Sequence, residues 1–454
     1  MDDGNLVKTI FTSLILTAIL IGPGCFNNKQ VELRKFPYPY KSALAICSDI
    51  DQTPSIEEFI TIQRFLNTDL ETESGPGLNL DIGNSFWFYN DYLEHLRIPG
   101  SEYTGGIDSG LSLFCGLTDS LNDYALILLS LIKSGYIDCL HSYGHFGEER
   151  FTRHLAQRAC EFQERESLSV DVYINHGAHG TNRQNLGDAS WFLGDNPGSK
   201  YYHTDLSVRS GMKFIWRGQL THCIGQDGDF SWINFLKNLY EWYQDFGYTG
   251  QEFPNDNKLV HIYRLDDSTD VFEFVRYVNP WGKYPEATEE NIIHQLGPEQ
   301  VDDLIENRGF MIFYTHFGRN GGEPYLSRST IEALRFIEEK YEKNELLVTT
   351  TSKLLNYYIH TKYLYWHQEK SNDTIFISID SIANSVEGNF IPSESDLAGL
   401  TFYVPRNQHI VLQLAGREID YTANGGDETG RVSISIPWRR LSLPDDIYML
   451  YKNF

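Results

Sequence analysis

The stretch Ala43-Leu44-Ala45-Ile46-Cys47-Ser48-Asp49-Ile50-Asp51 decides how the rest of the chain is interpreted. This apolar run is too short for a helix and is followed by Gln52-Thr53-Pro54, which breaks regular structure, so it predicts a buried strand. Side chains two apart on a strand share a face, which places Asp49 and Asp51 together at the carboxyl end. Two carboxylates this close repel each other unless a cation or a proton separates them. A solvated loop that caps the next helix explains the stretch equally well when it is considered alone.

The composition is typical of a globular protein with two or three domains. The chain has 454 residues, of which 41% are hydrophobic, and this is enough for a sizeable core. With 37 Lys and Arg against 62 Asp and Glu, the formal net charge is -25, which argues against nucleic acid or an anionic membrane as the partner. Aromatic residues make up 14% of the chain and suit sugar-binding clefts, although they suit an aromatic core as well. The cysteines form no Cys-x-x-Cys pair, which argues against a disulfide scaffold.

The first 26 residues resemble a signal peptide or a lipoprotein signal. Residues 10–21 are almost entirely apolar, a run too short to span a bilayer comfortably but suited to a signal peptide. Gly22-Pro23-Gly24-Cys25 follows and resembles a degraded bacterial lipobox, with Gly22 where Leu is usual. We therefore expect export to the periplasm or cell envelope, with Cys25 as the candidate site of a lipid anchor. The alternative is a short N-terminal membrane tether that is never cleaved.

After a polar tether over 27–40, short apolar runs alternate with helical patterns up to residue 367. Besides the first strand, strands are predicted at 85–89, 136–140, 170–174, 213–216, 259–263, 310–314 and 346–350. Helices are predicted at 55–66, 120–134, 151–165, 232–243, 298–307 and 330–341, and Gly-rich loops at 67–83 and 99–110. Strands that alternate with helices form parallel β/α units. We expect an α/β fold over 41–367, arranged as a (β/α) barrel of about seven strands.

The pattern changes over residues 368–454. Ile375, Ile377 and Ile379 alternate with polar residues, and short apolar runs follow at 400–404, 410–414 and 432–436. Gly, Asn, Asp and Pro separate these runs, which is typical of antiparallel strands with one solvated face. We expect a small C-terminal β-sandwich module.

Two more predicted strands end in histidines. One leads into His141-Ser142-Tyr143-Gly144-His145, and both imidazoles lie on one side if His145 falls in a first helical turn. Neutral imidazole binds Zn²⁺ well, and a carboxylate is a common third ligand. Another apolar strand, at 310–314, delivers His316. Considered alone, His316 is better explained as a core or capping residue, and a lone His-x-x-x-His is a weak signal. The carboxyl ends of barrel strands share one rim, however, where we expect these side chains to meet the two aspartates.

These motifs together resemble those of the polysaccharide deacetylases of carbohydrate esterase family 4, which share the NodB homology domain. Members carry an Asp pair after the first strand, His-Ser/Thr-x-x-His after another strand and a His at the end of a late strand. Here Asp49 and Asp51, His141-Ser142-x-x-His145, and His316 match them. The Asp-x-Asp spacing is similar to that of a subgroup of peptidoglycan-type and related deacetylases, whereas two adjacent aspartates are usual. The resemblance covers roughly residues 36–360.

The resemblance implies a NodB-like distorted barrel and a metal-dependent hydrolase that removes acetyl groups from an exported or envelope polysaccharide. It implies that Asp51, His141 and His145 hold a divalent metal, with zinc as the expected ion. It also implies that Asp49 is the general base and His316 the general acid.

Two features depart from the family pattern. About 90 residues separate the aspartate pair from the first histidine, which implies an insertion between 66 and 110. The Arg-Pro motif of the family is missing, and Tyr173-Ile174-Asn175-His176-Gly177 stands in its place. Asn175 and His176 follow a predicted strand, where they can contact the sugar or the metal site, or simply form a polar turn.

The sequence also offers candidates for the oxyanion contact and for the partner of Asp49. The similarity suggests that a backbone N–H near Tyr143 helps to stabilise the oxyanion. Arg217 and Arg264 are both candidates for the cation that orients Asp49.

Other functions fit parts of the pattern. Without the Arg-Pro motif, the chain can be a carbohydrate-binding or scaffold protein that retains the barrel and the metal but not turnover. A glycosidase needs two carboxylates that flank a sugar bond, and Asp49 and Asp51, side by side on one strand, are poorly placed for that.

Overall fold

The structure is a computed structural model that describes residues 31–91, 110–146, 150–177, 182–187, 190–244, 256–279 and 288–454. The predicted signal segment with Cys25 and most of the Gly-rich loop over 99–110 lie outside these residues. Within the described residues, no helix is both long enough and apolar enough to cross a membrane.

Within the described residues, eleven strands form one curled sheet. They are β1 Ser42–Ser48, β2 Gly83–Phe86, β3 Ile137–His141, β4 Val172–Ile174, β5 Phe214–Trp216, β6 Leu220–Thr221, β7 Val260–Arg264, β8 Asp270–Phe274, β9 Arg276–Tyr277, β10 Phe310–Thr315 and β11 Leu346–Thr349. Their order is β6-β9-β10-β1-β2-β3-β4-β5-β8-β7, and β11 pairs with β1. The pairings are parallel except that of β7 with β8. The predicted α/β class is confirmed.

The curl of the sheet brings its two ends close together. Along the chain, β6 directly follows β5, and β9 directly follows β8. The pairs β5–β8 and β6–β9 therefore join the same two chain segments, and together they act as one pairing. β9 then pairs with β10, and β10 pairs with β1 along its whole length, from Phe310 opposite Ala43 to Thr315 opposite Ser48. All seven residues of β1 are buried. The carboxyl ends of β1, β3, β4 and β10 therefore lie at the same edge.

Helices pack around this sheet. They are α1 Ile56–Asn67, α2 Ala125–Ser134, α3 Arg153–Glu166, α4 Thr204–Arg209, α5 Trp232–Gln244, α6 Ile292–Gln295, α7 Pro298–Glu306, α8 Arg328–Glu342, α9 Thr351–Lys362 and α10 Asp445–Asn453. Short 3₁₀ turns occupy Ile50–Gln52 and Glu289–Asn291, and the remaining short strand pairs are Glu71–Thr72 with Gly75–Pro76 and Tyr89–Asn90 with Gly144–His145. α9 lies at the amino ends of the strands, where the N–H of Ser352 donates to Asp138 Oδ2.

Most predicted elements occur within a few residues of their expected bounds, with three informative exceptions. The predicted helix over 120–134 begins only at Ala125, because the Asn122 side chain donates to the carbonyls of Ser112 and Phe114 and holds the preceding residues in a turn. The predicted strand over 85–89 is divided into β2 and the short strand Tyr89–Asn90. The stretch that contains β8 and β9 and the helix α9 were not predicted.

Two smaller sheets are formed mainly by the C-terminal residues. One contains Leu364–Ser371, Thr374–Asn384, Gly388–Phe390, His409–Leu414 and Arg417–Glu418, and the other Glu32–Leu33, Thr401–Tyr403, Thr422–Asn424 and Ser433–Ser435. Side chains of both sheets, such as Ile377 and Phe402, share one buried cluster. The antiparallel prediction fails for one pairing, that of Thr374–Asn384 with His409–Leu414, which is parallel. The connection between these strands first enters the other sheet at Thr401–Tyr403, so the chain returns in the same direction.

A buried carboxyl group near the amino end of β3 should make the free energy of unfolding depend on pH. Burial raises the pKa of Asp138 to about 7. Asp138 therefore binds a proton more tightly in the folded protein than in the unfolded chain. The stability that this protonation contributes is lost as the pH rises from about 4 to about 7. Between pH 5 and pH 7, we expect Asp138→Asn to gain free energy of unfolding relative to wild type, by about 1.4 kcal/mol per pH unit. Urea unfolding at several pH values measures these free energies, with Asp420→Asn at an exposed position as the control. The prediction would be contradicted if the free energies of unfolding of wild type and Asp138→Asn changed in parallel with pH.

Candidate metal centre

Asp51, His141 and His176 form a buried cluster at the carboxyl edge of the curled sheet. One ligand atom from each residue lies within 4.8 Å of the others. His141 Nδ1 is 3.0 Å from Asp51 Oδ1, and His176 Nδ1 is 3.5 Å from Asp51 Oδ2. All three residues are at most 5% exposed. One carboxylate and two imidazoles are a common ligand set for a divalent transition metal.

The backbone positions each of these side chains. Asp51 lies in the 3₁₀ turn that follows β1, where the N–H of Ile50 donates to Ser85 Oγ at 3.3 Å. His141 is the last residue of β3. His176 follows β4, and its loop is fastened by Asn185, whose Oδ1 accepts from the His176 N–H at 3.1 Å and whose Nδ2 donates to the His176 carbonyl at 3.0 Å.

Two buried atoms of the cluster support the fit of a cation. Asp51 Oδ1 and His141 Nδ1 are shielded from solvent, and neither makes a hydrogen bond of acceptable geometry although they are 3.0 Å apart. A buried polar atom without a hydrogen bond is costly, and an ion between these atoms would satisfy both. The residues present therefore fit a divalent metal.

Burial and charge have opposing effects on the pKa values in this cluster. Burial by itself raises the pKa of Asp51, but the neighbouring His141 and His176 outweigh it and hold this pKa well below its ordinary value. Burial lowers the pKa of His141, whereas Asp51 and Asp49 outweigh it and raise that pKa above its ordinary value. Burial lowers the pKa of His176 well below its ordinary value. The carboxylates therefore favour a proton on His141, which a bound metal would have to displace, whereas burial favours the neutral form of His176, which can donate a lone pair to a metal.

His145 lies beside this cluster rather than in it. Its Nδ1 is 3.2 Å from His176 Nε2, while His176 Nδ1 is 3.3 Å from His141 Nε2. The Trp87 ring covers all three imidazoles, with ring centroids 5.0 to 6.1 Å away. The structure therefore groups His176, instead of the expected His145, with Asp51 and His141.

His316 approaches the cluster from the opposite side of β1. It follows β10, and its Nε2 is 3.7 Å from Asp51 Oδ2. The next residues hold it there, because the N–H of Phe317 donates to Ser48 Oγ at 3.2 Å. A Cβ atom on Gly318 would lie 2.1 Å from the Gln52 carbonyl oxygen, so only glycine permits this close approach. The His316 side chain is 16% exposed and can reach a ligand in solvent.

Asp49 is buried beside Arg276, a residue that the sequence did not single out. Arg276 Nη1 donates to Asp49 Oδ2 at 3.1 Å, and both side chains are at most 3% exposed. The guanidinium is 4.3 Å from the ring centroid of Trp216 and 4.8 Å from that of Tyr314. Arg276 therefore orients Asp49 and balances its charge.

Four other residues that the sequence singled out have partners elsewhere in the protein. Arg217 is bound to Glu273 at 2.7 Å, and Arg264 is bound to Asp270 at the surface, so neither orients Asp49. The Tyr143 side chain is buried in the core with its hydroxyl 2.7 Å from Ser207 Oγ, and the backbone N–H contact expected near this residue stays a prediction. Asn175 exchanges hydrogen bonds with the backbone of Leu186 and therefore has a structural part in the loop.

A cleft of about 490 Å³ opens beside residues that follow Asp51 and His316 in the chain. Its walls include Gln52, which follows Asp51, and Gly318, which is two residues beyond His316. Thr288, which forms a bridge with His316, and the charged side chain of Arg319 complete this part of the wall. The volume is in the range of small-molecule sites, and its polar walls suit a hydroxyl-rich ligand.

Comparison with known proteins does not identify the chain. No protein-family model matches it, and no curated protein sequence matches it.

Proposed function

We propose that this protein is a metal-dependent hydrolase that removes acetyl groups from an exported or cell-envelope polysaccharide. The observation that carries the proposal is that two pairs of side chains meet at one edge of the sheet. One pair is Asp51 with His141, which can hold a metal, and the other is Asp49 with Arg276, a buried carboxylate fixed in orientation.

The architecture supports this reading. If β5 with β6 and β8 with β9 each count as one barrel position, the curled sheet is a distorted barrel of seven positions, with β7 and β11 as additions. A NodB-like barrel has its catalytic residues at the carboxyl ends of strands, where Asp51, His141 and His316 lie. The two C-terminal sheets would then be a β-sandwich packed beside the barrel.

Asp51, His141 and His176 would hold the metal, and zinc suits a site with two imidazoles and one carboxylate. A divalent cation bound there would supply a Lewis acid that polarises the acetyl carbonyl. Asp49, which Arg276 holds in place, would accept a proton from the attacking water. His316 would donate a proton to the departing nitrogen or oxygen of the sugar, because its imidazole is partly exposed beside Asp51.

The charge of the protein limits the substrate. With a formal net charge of -25, the chain would repel strongly anionic polymers at low ionic strength. We therefore expect a neutral or weakly charged acetylated glycan. Such a substrate agrees with the proposed export of the protein, whether it is anchored through Cys25 or released.

The test is acetate release from a panel of N- and O-acetylated oligosaccharides. We expect zinc-loaded wild-type protein to release acetate and chelator-treated protein to release none until zinc is restored. A protein that binds an oligosaccharide but releases no acetate from any substrate would instead be the carbohydrate-binding protein considered above. The release of reducing sugar ends would indicate a glycosidase.

A further inference from the structure

The first turn of α5 and the residues just before it carry exposed apolar side chains. We refer to five residues as the α5 patch: Phe230, Trp232, Ile233, Phe235 and Leu236, which are 72%, 70%, 61%, 49% and 60% exposed. The Trp232 ring contacts both phenylalanine rings, with its centroid 5.0 Å from that of Phe230 and 6.0 Å from that of Phe235. A contiguous apolar surface of this kind is unusual in a protein that contacts only water.

Polar residues hold the other side of α5 to the protein. Asn234 is 5% exposed, and its side chain both accepts from the N–H of Ile224 at 3.1 Å and donates to the Ile224 carbonyl at 2.8 Å. Asn238, one turn later, accepts from Cys223 Sγ at 3.1 Å. Residues four apart share a helix face, so the two asparagines lie opposite the α5 patch. Hydrogen bonds therefore fix the described first part of α5 with the α5 patch outward, which is the reverse of an ordinary surface helix.

We propose that the α5 patch docks the protein on a zwitterionic lipid surface. A helix with Trp, Phe and Leu on one side and polar groups on the other is suited to the boundary between lipid headgroups and acyl chains. The patch contains no charged residue, and the overall charge of -25 together with the exposed Asp229 disfavours anionic lipid. Neutral headgroups are therefore the chemistry that this surface fits.

The position of the N-terminal residues agrees with this orientation. Gln226, shortly before the α5 patch, pairs with Phe310, the first residue of β10, so the patch lies near the amino ends of the strands. Lys35 donates to the carbonyl of Asp227 in the same loop and to that of Arg308 at 2.5 Å. Five residues, 26–30, separate Val31 from Cys25, and they span at most about 20 Å when fully extended. An anchor at Cys25, which the sequence predicts, would thus hold the α5 patch near the same membrane.

Tryptophan quenching tests the proposal on the full chain with phosphatidylcholine vesicles whose acyl chains carry bromine. Residues 1–30 contain no Trp, so quenching does not report on the N-terminal segment itself. We expect the vesicles to quench wild-type fluorescence and to quench Trp232→Phe measurably less, because Trp232 enters the lipid. Equal quenching of the two proteins, or none, would overturn the proposal.

Cosedimentation with the same vesicles measures the affinity. Loss of two large apolar contacts in Trp232→Ser/Phe235→Ser should weaken binding at least tenfold. Leu126→Ser removes an equally exposed apolar side chain from α2 and should leave binding unchanged. Added phosphatidylserine should weaken binding. Unchanged binding of the double variant, or a concentration-dependent dimer in solution that the same variant abolishes, would show that the patch serves another purpose.

Discussion

His176→Ala is expected to lose at least about 100-fold in metal affinity, as is His141→Ala. Each variant removes one of the three clustered donors, and losing even an outer partner of a metal ligand typically costs 10- to 100-fold in affinity. His145→Ala should lose about tenfold in metal affinity, because His145 Nδ1 contacts His176 Nε2 and is not one of the three clustered donors. Metal content after dialysis and competition with a chromophoric chelator for Zn²⁺ or Co²⁺ measure these affinities.

The control for this series is another buried histidine far from the cluster. His360 is 6% exposed and lies on α9, with its Nδ1 3.0 Å from the Asp396 carbonyl. His360→Ala should therefore keep full metal affinity. If His145→Ala lost the metal and His176→Ala kept it, the ligand set implied by the sequence motif would be right and the grouping in this structure wrong.

The position of most site residues could be predicted because strands have a simple rule. An apolar run long enough for a strand, followed by a polar residue, places that residue at the carboxyl edge of a parallel sheet. This rule located Asp49, Asp51, His141 and His316, and the structure brings all four to one edge. The rule needs only local sequence, since these strands are buried except for the half-buried Tyr314.

The role of His145 could not be predicted by the same means. The expectation that His141 and His145 share a face assumed a helical turn after β3. Instead, Ser142 adopts a φ of +47°, and Gly144–His145 continues as a short strand paired with Tyr89–Asn90. The partner strand comes from more than 50 residues earlier in the chain, so local spacing does not reveal the pairing. His176 takes the place beside Asp51 because the neighbouring β4 ends there.

Arg276 was not identified from the sequence because β9, the strand that contains it, was not predicted. The apolar residues of β8 and β9 are interrupted by Glu273 and Arg276, which resembles a solvated segment. Both charges are in fact buried, and each has a partner from a distant strand or loop: Arg217 for Glu273 and Asp49 for Arg276. A buried ion pair is visible in a sequence only if both partners are already known, which requires the fold.

Asp49→Asn is expected to reduce acetate release by about 100- to 10,000-fold while zinc remains bound. The amide cannot accept a proton from water, and removing a general base typically has an effect of this size. Asp49 is not among the three clustered donors, so metal content should stay close to that of wild type. Acetate release at saturating substrate, together with metal content, measures the two effects separately. Cys47→Ala, whose Sγ is 3.8 Å from Asp49 Oδ1, controls for disturbance of the strand.

The buried charge of Arg276 requires a second variant, because Asp49→Asn leaves that guanidinium without its carboxylate. Breaking such a pair costs about 3–5 kcal/mol, whereas replacing both partners by uncharged groups is often neutral. Asp49→Asn/Arg276→Met should therefore regain the free energy of unfolding that Asp49→Asn loses and remain without activity. Recovery of acetate release along with stability would mean that Asp49 only holds Arg276 in place. Persistent loss of activity in a stable, zinc-loaded protein is the result expected if Asp49 takes the proton in the reaction.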